Sequence, residues 1–160
     1  MAISAGAHEV KEMTARARVF SNRVEIIITI SAHMAGVLLT DPKEPAAVPT
    51  PETLPALRTR LEAQARAFCA FLPGGKKAIA PSSVDVVMAT TEELSFYLAY
   101  PAADLSPLRF EMTVLDRLEH GNVITLEVLD AARNRIGNKQ LKQGDNALEV
   151  PLPANAPAAP

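Results

Sequence analysis

Arg23-Val24-Glu25-Ile26-Ile27-Ile28-Thr29-Ile30-Ser31-Ala32-His33-Met34 is the stretch on which the fold turns. Its even positions Val24, Ile26, Ile28, Ile30, Ala32 and Met34 make one apolar row, and Arg23, Glu25, Thr29, Ser31 and His33 stand between them. A period of two sends alternate side chains to opposite faces of a strand, so the stretch predicts a strand with one buried and one wet face. Upstream, Met13, Ala15, Ala17 and Val19 alternate with Glu12, Thr14, Arg16 and Arg18 in the same way. The turn-like Ser21-Asn22 joins the two runs, which predicts an antiparallel hairpin.

Downstream the period changes. Residues Asp41 to Pro55 hold five prolines, which cannot donate ladder hydrogen bonds, and predict a connector. Leu54, Leu57, Leu61, Ala65, Phe68 and Leu72 then recur at spacings of three and four, with Arg58, Arg60, Glu62, Gln64 and Arg66 between them. That is one amphipathic helix over about 52–72, with Thr50 or Thr53 as its N-cap and Pro73-Gly74-Gly75 as its end. Beyond it the period of two returns around Val84–Met88, Leu94–Tyr100, Leu108–Val114 and Ile124–Val128, followed by shorter runs near Arg135–Leu141 and Ala147–Leu152. Turns fall at Asp130–Asn134 and Gln143–Asn146. The expected fold is mainly β: an immunoglobulin-like antiparallel β-sandwich with one amphipathic helix in a crossover connection. Residues 1–9 read as a leader remnant or disordered end, 10–152 as a single sandwich domain, and 153–160 as a Pro/Ala-rich tail or linker.

The composition bounds the function. The chain has 160 residues, 48% apolar and 21% charged, which fits one globular domain. Sixteen basic against eighteen acidic residues supply no field for nucleic-acid phosphates. The longest apolar stretch, Val24 to Leu39, contains Glu25 and His33 and is shorter than the roughly 20 residues a spanning helix needs. The single cysteine, Cys69, excludes an intramolecular disulfide framework and a multi-thiolate zinc site.

No local catalytic motif is present. The serines lack the G-x-S-x-G context of a strained nucleophile turn, and Cys69, beside Phe68 and Ala70 on the expected helix, reads as a small buried hydrophobe. Gly74-Gly75-Lys76-Lys77 lacks phosphate-loop spacing and reads as a helix C-cap with solvated lysines. Asp104, Asp116 and Asp130 read as turn residues. His8, His33 and His120 are too far apart for any local metal motif. A distributed metal site remains: cleavage after Ala5-Gly6-Ala7 makes His8 an amino terminus whose amine and imidazole chelate copper or nickel. His33 would complete it, with Met13 or Met34 as a soft ligand. A third alternative is an enzyme with no recognisable motif, its site assembled from Arg23, Glu25, Thr29 and His33 on the wet face of the second strand; a deep pocket there favours it and a flat face favours docking.

Phe71-Leu72-Pro73-Gly74-Gly75, Ala80-Pro81-Ser82-Ser83-Val84, Leu105-Ser106-Pro107-Leu108-Arg109-Phe110 and Leu118-Glu119-His120-Gly121-Asn122-Val123 follow one another after the hairpin, the connector and the helix. The series resembles the extracytoplasmic N-terminal module of HupE/UreJ-type membrane proteins, hydrogenase and urease accessory permeases linked to nickel. In that family an exported β-sandwich starts just after the signal peptide, often with Ala-His, and precedes transmembrane helices; Ala7-His8 and the Pro/Ala tail match those two ends. The acidic segment usual near the family helix is replaced here by prolines. The resemblance implies a periplasmic, non-catalytic binding or interaction module, an accessory domain of a membrane protein. Its partner is another protein or its own transmembrane segment beyond residue 160, and no family catalytic residue carries over.

Overall fold

The computed structural model describes residues 12–40, 47–101, 106–152 and Pro160. The leader remnant, His8, Asp104 and most of the Pro/Ala tail lie outside the described residues. Among the described residues there are nine strands in two sheets: β1 (Glu12–Val19), β2 (Arg23–Ser31), β3 (Ala70–Pro73), β4 (Ser83–Met88), β5 (Glu93–Pro101), β6 (Leu108–Glu111), β7 (Val123–Asp130), β8 (Arg135–Lys142) and β9 (Ala147–Val150). The larger sheet runs β4-β5-β2-β1-β7-β8 and the smaller β3-β6-β9. The chain is therefore mainly β, as its alternation predicts. The β1–β2 hairpin forms in the register Thr14 to Thr29 and Ala17 to Ile26. One pairing departs from an antiparallel sandwich: β1 lies parallel to β7, Met13 beside Ile124 and Ala17 beside Val128. A parallel neighbour needs a long crossover, and everything from β2 to β6 supplies it.

Helix α1 (Ala32–Leu39) replaces the predicted end of the second strand, so among the described residues two α-helices stand where one is expected. Ser31 is extended at the N-cap, and its Oγ accepts from the Met34 amide at 3.1 Å. That bond satisfies a helix-start donor and turns the chain out of the sheet. Gly36 belongs here because a Cβ would stand 2.8 Å from the Ala47 carbonyl oxygen. Helix α2 (Leu54–Ala65) ends before the predicted 72; residues 66–68 turn and β3 follows. Phe68 and Leu72 thus leave the helix, and Gly74 and Gly75, both with φ near +70°, make the turn after β3 rather than a helix cap. The run after Leu108 also shortens, because Thr113–Arg117 forms a 3₁₀ turn.

The core lies on one face of the six-stranded sheet. Met13, Ala15, Ala17 and Val19 of β1 are buried with Val24, Ile26, Ile28 and Ile30 of β2, Phe96 and Tyr100 of β5, and Ile124, Leu126 and Val128 of β7. The same cluster takes in Leu38 of α1, Leu61 of α2, and Phe71 and Phe110 of the small sheet. Edge-on contacts join Phe68 to Phe96 at 5.0 Å and Phe71 to Tyr100 at 5.3 Å, and Phe71 stacks on Phe110 at 5.2 Å. Each such pair contributes about 0.5–1.5 kcal/mol beyond its buried area. Tyr100 is buried with its hydroxyl donating to the Cys69 carbonyl at 2.9 Å, so its polar end has a partner.

Candidate functional site

The alternation that buries one row of each strand lifts the other row onto the opposite face. Pairing registers align these residues in rows across the six strands. One row is Asp85, Tyr97, Ile27, Arg16, Glu127 and Asn138; the next is Ser83, Ala99, Glu25, Arg18, Leu129 and Arg135. A third is Val87, Ser95, Thr29, Thr14, Thr125 and Gln140. None of these side chains belongs to the core cluster. Tyr97, 44% exposed, is the largest side chain standing free on this face.

A shallow depression of about 480 Å³ lies over the middle strands, walled by Thr14, Arg16, Ile27, Thr29, Thr125, Glu127, Arg135 and Asn138. Glu127 is its electrostatic centre. Arg16 Nε donates to Glu127 Oε2 at 2.9 Å, and Arg135 Nε to Oε1 at 3.1 Å. The Arg16 guanidinium first, and Arg135 after it, hold this carboxyl below its ordinary range, so it stays ionised at neutral pH. Nearby, Arg23 pairs with Glu25 at 2.6 Å, and Thr29 and Ser95 share a hydroxyl hydrogen bond at 3.0 Å. Phe20, past the end of β1, carries the Arg18 guanidinium 4.8 Å from its ring centre, and Arg18 Nη2 donates to the Ala131 carbonyl. These contacts fix charges in place. The Glu127 carboxylate is thus held ionised between two guanidinium groups.

The structure separates the residues that the sequence grouped. Arg23, Glu25 and Thr29 lie on the open face as expected. His33 does not: it is exposed on α1, two residues past the end of β2. There it lines a second depression of about 510 Å³ with Met13, Met34, Val48, Glu92 and Glu93. Met13 and Met34 are buried in the wall, so His33 is the donor presented to solvent. Among the described residues no group of three or more His, Cys, Asp or Glu side chains is placed to hold a metal ion. His120 is exposed in the turn before β7.

Cys69 sits after α2 rather than on it, and it is buried. Burial pushes its thiol up to about 12, so it stays protonated and unreactive at neutral pH. Asp130 is the last residue of β7, and Asp145 lies between β8 and β9. Asp130 accepts from the Asn134 amide and side chain, which lowers its pKa, and Asp145 pairs with Lys139 at 2.6 Å. The sequence left Arg16, Glu127 and Arg135 ungrouped because they come from three strands, and β1 meets β7 through a pairing of residues 111 positions apart. The fold is that of a mainly β protein whose larger sheet leaves one face charged and open. No protein-family model matches the chain, and no curated protein matches it either.

Proposed function

We propose that the chain is a non-catalytic binding and interaction module, an exported accessory domain that works beside a membrane and presents the open face of its six-stranded sheet to a protein partner. The observation that carries this reading is the division of labour within the sheet. One face is anchored in an aromatic core, and the other holds aligned side chains, with Tyr97 and Ile27 amid paired charges. Aromatic side chains within a polar rim are the usual anatomy of a protein-binding surface. No described helix is long and apolar enough to cross a membrane. The export part of the reading is supported by Ala5-Gly6-Ala7-His8 and by the family resemblance.

The test uses the complete native reading frame. Fractionation and N-terminal sequencing should recover the protein at the membrane with His8 first. A photocrosslinker at Tyr97 or Ile27 should then give a discrete protein adduct that the same probe at Thr59, exposed on α2, does not give. A soluble cytoplasmic product retaining Met1 overturns the export reading, and equal labelling from both surfaces overturns the docking reading.

A second reading, copper or nickel binding through His8 and His33, is favoured by the depression that gathers His33 beside Met13. Four residues lie between His8 and Met13, so the two are at most about 18 Å apart along an extended chain. It predicts tight metal binding that appears after removal of residues 1–7 and disappears in His33→Ala. Binding indifferent to both changes overturns it.

A further inference from the structure

The open face divides by charge along the line between β2 and β1. On the β1, β7 and β8 side the described side chains include Arg16, Arg18, Arg135 and Lys142 against Glu127. On the β2, β5 and β4 side they include Glu25, Asp85 and Glu93 against Arg23 and against Arg58, which reaches over the β4 edge from α2 and pairs with Asp85 at 2.8 Å. One half is net basic and the other net acidic, and the boundary falls at the middle of the six strands.

From this arrangement, and resting on the docking reading above, we infer that the partner of the open face is a second copy of this chain, bound face to face about a two-fold axis that runs along the strands. That axis lays the β4 side of one copy on the β8 side of the other and keeps every row on its own counterpart. Glu25 then faces Arg18, Ala99 faces Leu129, Thr29 faces Thr14 and Asp85 faces Asn138, each contact occurring twice as an isologous interface requires. Glu93 falls beside Val123 and its strand neighbour Lys142. A two-fold axis across the strands would instead set β4 on β4 and β8 on β8, like charge on like, which costs free energy.

The area is sufficient. With strands about 4.8 Å apart and a rise of about 3.3 Å per residue, the face measures about 700 Å² per copy, close to the 800 Å² per partner of a standard interface. Edge pairing, the other route by which sheets associate, is blocked on the β4 side. Arg58 Nη1 donates to the outward Val86 carbonyl at 2.7 Å, and Asp85 Oδ1 accepts from the Val86 amide at 2.8 Å. On the β8 side, β9 folds against the strand, with Lys139 Nζ donating to the Ala147 carbonyl at 3.1 Å.

Sedimentation equilibrium on the purified chain at about 100 µM, above the micromolar end of affinities for interfaces of this size, should give twice the chain mass. Two variants then test the geometry. Ser83→Lys with Glu93→Lys makes the acidic half basic, and Arg135→Glu with Lys142→Glu makes the basic half acidic; all four positions are exposed. Each variant alone should dissociate at least tenfold more readily than the unmodified chain, and an equimolar mixture of the two should recover the dimer. A monomeric unmodified chain overturns the inference, as does a dimer indifferent to both variants or a mixture that stays monomeric. A monomeric chain whose position 97 still crosslinks to a different membrane protein leaves the docking reading standing and removes only the second copy as its occupant.

Discussion

The two faces of the six-stranded sheet are made from the same strands, one residue out of step, yet they differ in almost every physical respect. Ile28 is fully buried, and its neighbour Ile27, on the other side of the same backbone, is half-exposed beside Tyr97. Phe96 is fully buried against Phe68, and Tyr97 is 44% exposed. The strand backbone is common to both, so the difference isolates what each set of side chains contributes: cohesion on one side, a solvent-facing array of charged and polar groups on the other. A one-residue slip of register would exchange the two faces, and for that reason the alternation specifies the register so strongly.

The sharpest way to break this comparison is to truncate one neighbour at a time. Phe96→Ala should lose about 3–5 kcal/mol, the range for emptying an aromatic from a packed core. Tyr97→Ala should stay within about 0.5–1 kcal/mol, as surface changes do. Urea unfolding of both variants, at a protein concentration low enough to keep the chain monomeric, measures the contrast, and losses of similar size there would mean that the open face is covered within the single chain. A second test adds bulk rather than removing it. Gly137 of β8 lies where a Cβ would stand 2.4 Å from Val150 Cγ1, at the corner where β9 closes on β8. Gly137→Ala should therefore cost about 1–3 kcal/mol by overpacking, seen as a lower urea midpoint. An alanine accepted without loss would show that the two strands are free to part there.

These contrasts also explain what the sequence could reveal. The alternation from Met13 to Ile30 was legible because each strand is wet on one side, so burial writes its period directly into residue type. The end of β2 was not legible, because Ala32 and Met34 suit a strand's apolar row and a helix's buried stripe equally well. What separates the two is the Ser31 hydroxyl on the Met34 amide, a bond that depends on geometry rather than composition. The overlong helix has the same origin. Phe68 and Leu72 continue the spacing of Leu61 and Ala65, although Phe68 is buried against Phe96 from a turn and Leu72 belongs to β3. Of the candidate site, the wet positions of β2 were visible, but Arg16, Glu127 and Arg135 meet only through the parallel β1–β7 pairing and its β8 neighbour, and no local pattern encodes that order.

The core face also predicts an alkaline limit. Cys69, pushed up to about 12 from an ordinary 9.0 by burial, holds its proton in the folded chain at pH values where the unfolded chain has released it. The folded state then binds more protons than the unfolded one, so stability is intact below about pH 9 and falls above it by about 1.4 kcal/mol per pH unit. Burial raises Tyr100 as well, and its titration steepens the fall. Unfolding measured from about pH 8 to 11 in the unmodified chain and in Cys69→Ala, each referenced to its own stability at pH 8, should show a shallower decline in the variant. Identical slopes would mean that water reaches the thiol. Alkylation at neutral pH should be slow until the chain unfolds, for the same reason.

The smallest effect belongs to the open face and has the opposite sign with pH. Glu127, bridged by Arg16 and then Arg135, has a folded pKa below its ordinary 4.5. Its contribution to stability is therefore present above about pH 4.5 and is lost as the pH falls through the folded value. Because the two arginine side chains are each 62% exposed, added salt should screen much of that contribution. Glu127→Gln should leave the fold intact and flatten the acid limb of the stability curve at low ionic strength, while the two curves converge in high salt. A variant whose acid limb stays parallel to that of the unmodified chain would show that the bridge orders the surface without stabilising it. The open face would then act through the positions of its charges alone, and the core face alone would hold the sheet together.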